Sequence, residues 1–97
     1  MNQSSPPLVS VLVPAFNHES FIVRCLDSVL EDPYPSKELV VIDDGSTDGT
    51  AARIEAWLAV HEHSLPVTYR RRENRGIAAT LNELVSLASG RFLRLGA

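Results

Sequence analysis

The sequence is poor in the residues that build covalent or metal scaffolds. Its single cysteine, Cys25, excludes an intrachain disulfide and argues against a cysteine-based zinc site, which fits a reducing, cytoplasmic setting. The opening stretch MNQSSPPLVSVLVPAF has neither the basic start nor the long apolar centre of a signal peptide. No apolar run approaches the ~18 residues of a membrane span, so no membrane segment is expected. Positive charge is also short. Nine Lys and Arg stand against twelve Asp and Glu, and a net charge of −3 lacks the basic surface that nonspecific nucleic-acid binding uses. The three histidines, His18, His61 and His63, do not combine with carboxylates at a metal-binding spacing. The phosphate-loop, dinucleotide and nucleophile-elbow glycine signatures are all missing.

What is present is a rhythm. Residues 1–7, polar and proline-rich, are expected to form a disordered leader, and residues 8–97 one α/β unit. LVSVLVP (8–14) reads as a buried strand ended by Pro14. ESFIVRCLDSVLED (19–32) places Phe21, Ile22, Cys25, Leu26, Val29 and Leu30 on one face of a helix. ELVVID (38–43) is a second strand, and TAARIEAWLAVHEH (50–63) a second helix with Ala51, Ile54, Trp57 and Leu58 inward. PVTYRR (66–71) is a third strand. A third helix carries Ile77, Ala78, Leu81, Leu84, Val85 and Ala88 inward, with Gly90 as its left-handed cap. RFLRL (91–95) is a fourth strand. This alternation predicts a Rossmann-like three-layer sandwich, with a parallel sheet and right-handed crossovers.

In open sheets of this kind ligands bind beyond the carboxyl ends of the strands, so the chemistry should lie in the intervening loops. The second loop, DDGSTD (43–48), has several readings. Counted from Asp44 to Glu55 it approaches an EF-hand calcium loop, but a strand rather than a helix precedes it. Asp48 or Ser46 can cap the second helix. Asp43 and Asp44 lie too early to cap it. Two adjacent acids repel, so at least one needs a partner, and a carboxylate there can accept from a base N–H or a ribose hydroxyl. Gly45 lets the backbone turn away. In the first loop, PAFN (14–17), Phe16 is either core or a ring on which a base stacks, and Asn17 can cap the first helix. In the third, YRRRENRG (69–76), guanidinium groups suit diphosphates, and Arg75, just before Gly76 and a helix N-terminus, is the strongest phosphate candidate. Cys25 and Trp57 read as core.

Taken together, VSVLVPAFNHESFIVRCLDSVLEDPYPSKELVVIDDGSTDGT and ENRGIAATLNELVSLASGRFLRL resemble the N-terminal half of family-2 nucleotide-sugar glycosyltransferases over residues 8–97. The resemblance implies a glycosyltransferase A-type fold with strand order 3-2-1-4. It implies transfer of a sugar from a UDP-, GDP- or dTDP-linked donor to a glycan or lipid acceptor hydroxyl, with inversion. Phe16 would pack near the base, with Pro14 and Ala15 lining the base and ribose pocket and Asn17 beside them. Asp44 would contact the base edge, and Asp43 would support the ribose or the turn before Gly45. Asn74, Arg75, Gly76 and Asn82 would face the donor. Ala15 and Phe16 replace the family's usual hydroxyl-bearing residues, so any hydrogen bond from those hydroxyls is lost. A divalent metal, Mn2+ or Mg2+, is expected in the parent enzyme, with its ligands after Ala97. The chain is thus expected to be a truncated piece that binds nucleotide weakly and does not turn over alone. The parent is expected in the cytoplasm or at the inner face of the membrane. The rival expectation is a noncatalytic binding or oligomerising module, pairing through the sheet edge at strand four. A receiver-like signalling domain fits less well, because its acids follow the first strand.

Overall fold

The computed structural model describes residues 6–96. The first five residues of the expected leader, and Ala97, lie outside them. Seven elements alternate: β1 (Val9–Ala15), α1 (Ile22–Glu31), β2 (Lys37–Asp44), α2 (Thr50–His61), β3 (Val67–Arg72), α3 (Ile77–Leu87) and β4 (Phe92–Leu95). The four strands form one parallel sheet in the order β3-β2-β1-β4, as the resemblance implied.

Strand period divides the core in two. Val11, Val13, Ala15, Leu39 and Val41 face α1 and α2, where they meet Ile22, Leu26, Val29, Ile54 and Trp57. Leu12, Val40 and Ile42 face the other way, onto Leu84 of α3. β2, flanked by strands and covered on both sides, is buried from Glu38 through Asp44. That is why its sequence is a continuous apolar run rather than an alternation.

The structure corrects several side-chain expectations. α1 starts at Ile22, because the N–H groups of Phe21 and Ile22 both close on the His18 carbonyl in a preceding turn. Phe21 therefore falls off the inward face and is exposed, while Cys25 and Leu30 flank the buried stripe half-covered. On α3 only Thr80 and Leu84 are buried, and Ile77, Ala78 and Val85 are exposed. α1 and α2 cover one face of the sheet side by side, whereas α3 covers the other alone among the described helices, so its flanks stay open.

Gly90 is not a left-handed cap; only Gly45 and Gly76 have positive φ among the glycines described. α3 ends at Leu87, and Gly90 instead lies against β1, where a Cβ would come 2.4 Å from Ser10 Oγ. The Gly90 N–H donates to that hydroxyl at 2.7 Å, and the hydroxyl donates to Glu38 Oε2, which also accepts the Ser89 N–H at 2.6 Å. This knot joins β1, β2 and the α3–β4 loop at the amino edge of the sheet. Pro14 does not end β1, which runs one residue further, opposite β2. It lies past the last β1–β4 pair, Leu12 with Leu95, so its missing N–H removes no bond to β4.

Candidate functional site

At the carboxyl ends of β1, β2 and β3 the three loops enclose a cleft of about 430 Å³, within the range of small-molecule sites. Six of the residues singled out in the sequence line it: Pro14, Ala15, Phe16, Asp44, Asn74 and Gly76. Three others, His18, Ile77 and Thr80, complete the lining and were not anticipated. Phe16 is 43% exposed, which removes the core reading and leaves a ring open to a ligand. A second cavity of about 280 Å³ lies across β1, lined by apolar groups such as Val13, Phe21, Ile22 and Leu95. The cleft, not this cavity, brings polar groups together.

Asp44 is the centre of those polar groups. It is 5% exposed at the end of β2. Its Oδ1 accepts from the Arg72 guanidinium and from the Arg75 N–H at 2.8 Å, and its Oδ2 from the Gly76 N–H at 3.1 Å. Burial alone would raise the carboxyl, but the Arg75 N–H, the Arg72 guanidinium and the Gly76 N–H outweigh it and hold the group below its ordinary value. The Asn74 side-chain amide donates to the Asp44 backbone carbonyl at 3.0 Å. Arg72 also reaches Glu83 Oε1 at 2.7 Å and Thr80 Oγ1 at 2.9 Å. The partner that two adjacent acids require is therefore Arg72, arriving from β3 opposite Asp44.

Asp43 points elsewhere. It is fully buried, and its two oxygens take the Ser46 N–H and hydroxyl, which fixes the turn. Gly45, at φ +77°, brings this turn against the third loop: a Cβ there would lie 2.5 Å from Asn74 N. Asp48, one residue before the Gly49 N-cap of α2, accepts the free N–H of Thr50 at 2.9 Å. Asn17 does not cap α1. At φ 52° it turns its side chain onto the second loop, accepting the Thr47 N–H at 2.9 Å, while its own N–H donates to Ser46 Oγ. Arg75 gives the site its backbone N–H and keeps its side chain exposed, and Asn82 is exposed on α3 outside the cleft lining. Thus Asn17, Asp43 and Gly45 shape the loops around the cleft rather than its wall. The missed residues had weak signals: Thr80 reads as a helix-surface polar residue, and Arg72 was one of four similar arginines.

The described carboxylates do not fit a divalent cation. No group of three His, Cys, Asp or Glu among the described residues is placed to hold one, and each oxygen of Asp43, Asp44 and Asp48 already accepts at least one N–H or hydroxyl. No helix among the described residues is long and apolar enough to cross a membrane.

Comparison with known proteins decides the family. The profile of the family described as Glycosyl transferase family 2 matches residues 10–95. The chain belongs to this family. It is 36% identical over 87 residues to the putative teichuronic acid biosynthesis glycosyltransferase TuaG of Bacillus subtilis, covering 90% of this chain and 34% of that protein. Chondroitin synthase of Escherichia coli is also 36% identical over 87 residues, with 90% of this chain and 12% of that protein covered. Among solved structures, the mannosyltransferase PcManGT of Pyrobaculum calidifontis, in complex with GDP-Man and Mn2+, matches with a TM-score of 0.84 and 35% identity over 93% of this chain and 27% of that one. Staphylococcus aureus TarS 1–349 with UDP-GlcNAc matches with a TM-score of 0.77 and 30% identity, over 90% and 25% of the two chains. This family-2 chain therefore spans about a third or less of the length of these relatives.

Proposed function

We propose that this family-2 chain is the nucleotide-sugar-binding portion of a glycosyltransferase that moves a sugar from a UDP-, GDP- or dTDP-linked donor to a glycan or lipid hydroxyl with inversion. The observation that carries this reading is the cleft itself. One exposed ring, Phe16, lines the same space as Asp44, a carboxylate held below its ordinary value, and the N-terminus of α3. A carboxylate has about four lone-pair positions, and Asp44 uses three, so one on Oδ2 is left for a base N–H. Uracil, thymine and guanine each present such an N–H.

In this reading Phe16 stacks on the base, and Pro14 and Ala15 line the base and ribose. Asn17, Asp43 and Gly45 hold the loops in shape. Asn74 and Gly76 lie along the donor, and the exposed Arg75 guanidinium reaches the diphosphate. A divalent cation, Mn2+ or Mg2+, would take its carboxylates from elsewhere in the parent protein, as would the acceptor and the general base. The 97-residue chain then binds nucleotide without transferring sugar, and the parent works in the cytoplasm or at the inner face of the membrane.

Calorimetric titration of the chain with UDP, GDP and dTDP, with and without Mn2+, tests this directly. Binding of at least one nucleotide, weakened by Asp44→Ala, is expected. Equal binding by the variant removes Asp44 from base recognition, and sugar transfer by the chain alone contradicts the division of labour.

A further inference from the structure

Arg72 is the one guanidinium at the cleft with its charge turned inward, its side chain only 11% exposed. Its donors are distributed over β2, the third loop and α3. Nη1 goes to Asp44 on β2 and to the Glu73 carbonyl at 3.2 Å, Nη2 to Thr80, and Nε to Glu83, the last two on α3. Two of these partners, Asp44 and Thr80, line the cleft, while Arg72 itself stands behind the wall. We infer that Arg72, held in turn by Glu83, is a positioning residue for donor recognition: it fixes the Asp44 carboxylate and the start of α3 so that one lone pair of Asp44 Oδ2 faces the base.

The geometry gives the reason. Asp44 Oδ1 is saturated by Arg72 and the Arg75 N–H, which leaves the plane of the carboxylate no freedom to rotate. The Thr80 hydroxyl, which takes Arg72 Nη2, donates in turn to the Gly76 carbonyl at 2.8 Å, so the first turn of α3 is locked in the same network. Lysine cannot reproduce this, because a point charge cannot serve four separated acceptors. Charge matters as well. Without Arg72, Asp44 would be a buried carboxylate facing two backbone N–H groups, with burial opposing its ionisation. The other charged or titratable groups around it are Asp43 beside it on β2, turned to Ser46; His18 from the first loop; Glu73 and the exposed Arg75 from the third; and Glu83 from α3.

This inference rests on the nucleotide-binding reading, and the test separates the two. Wild-type chain, Arg72→Gln and Arg72→Lys are titrated with UDP, GDP and dTDP at pH 5.5, 6.5 and 7.5, with far-UV circular dichroism as the control for folding. Each variant is compared with wild type at the same pH, which cancels ionisation of the ligand. Losing a hydrogen bond to a charged group predicts binding about tenfold weaker at pH 7.5 for both variants. For Arg72→Gln the deficit grows as pH falls towards the raised midpoint of Asp44, because a protonated carboxyl is the weaker acceptor. For Arg72→Lys, which keeps the charge, it stays constant. A folded Arg72→Gln whose deficit is absent overturns the positioning role while leaving the nucleotide reading intact. Should Arg72→Gln fail to fold, Arg72→Lys carries the test alone, and wild-type affinity in that variant overturns the inference. In the unliganded chain, carbon NMR of the Asp44 carboxyl should show a higher titration midpoint in Arg72→Gln than in wild type. An unchanged midpoint overturns the inference even if no nucleotide binds, an outcome that would separately remove the function proposed for the chain.

Discussion

Two glycines near the cleft take positive φ under different constraints. Gly45 and Gly76 both have φ in the left-handed region, +77° and +91°. A Cβ on Gly45 would strike the Asn74 backbone, whereas nothing lies within 4 Å of one on Gly76. Gly76→Ala should therefore cost only the conformational term of a φ 91°, ψ 165° backbone, about 1–3 kcal/mol. Gly45→Ala adds a clash that pushes the second and third loops apart, and should cost about 3 kcal/mol or more. Urea denaturation of the two variants checks the ranking, and equal costs would contradict the close approach of the loops. Sequence conveyed part of this scale. Gly45 was legible as a turn after two acids, and Asp48 as an acceptor for the free N–H groups opening α2, because both are local matters of spacing. Arg72 was not. Which of four neighbouring arginines turns inward depends on the strand register that sets it opposite Asp44, and register belongs to the tertiary fold. Asn17 misled for a similar reason: its partner is Thr47, thirty residues away, not the helix that follows it.

Among the elements, α3 is the least covered and the closest to the cleft. Its hold on the sheet comes from Leu84, fully buried against Leu12, Val40 and Ile42, and from the Arg72 network. Leu84→Ala should cost about 2–5 kcal/mol and, because α3 carries Ile77 and Thr80 of the cleft lining, should weaken nucleotide binding as well. The same truncation at Leu26 of α1 should cost a similar amount of stability. It should leave binding nearly unchanged, since Leu26 belongs to the opposite core. Thermal denaturation paired with nucleotide titration distinguishes the two. The strands were readable in advance because β-branched runs mark them, whereas their order came from the resemblance to family-2 glycosyltransferases. The inward face of α3 was not readable, because periodicity identifies a stripe without telling how much of it a neighbour covers.

Across the whole molecule, acid stability follows from carboxylates held by N–H donors. Asp44, Asp48 and Asp32 all lie below their ordinary values: Asp44 through Arg75, Arg72 and Gly76 against its burial, Asp48 chiefly through Thr50, and Asp32 through Tyr34 and Arg94. A carboxyl depressed in the fold adds stability that is complete above its unfolded value, about 3.9, and disappears as pH falls through its lower folded value. The melting temperature should thus stay level from pH 7 to 5 and fall below about pH 4. Asp44→Asn should flatten that fall, since Asp44 is the buried member of the three. At the other extreme, burial and the neighbouring Glu55 raise the Tyr69 hydroxyl, so its contribution is lost only above its unfolded value of about 10.

The open surface lies at β4, where Phe92, Leu93 and Leu95 are 53%, 48% and 60% exposed. The 97-residue chain should therefore elute earlier from size-exclusion columns as its concentration rises, through pairing at that strand.

The sheet order also sets a schedule for synthesis. β1 is made first but lies between β2 and β4, and the Ser10–Gly90 bond that closes its far side joins residues 80 apart. A ribosome adding about 5–20 residues per second needs roughly 4–16 seconds to travel from one to the other. During that interval β1 can pair with β2 alone, and its other side offers free backbone groups to any passing strand. The nascent chain should thus need a chaperone's protection most just before its fourth strand emerges.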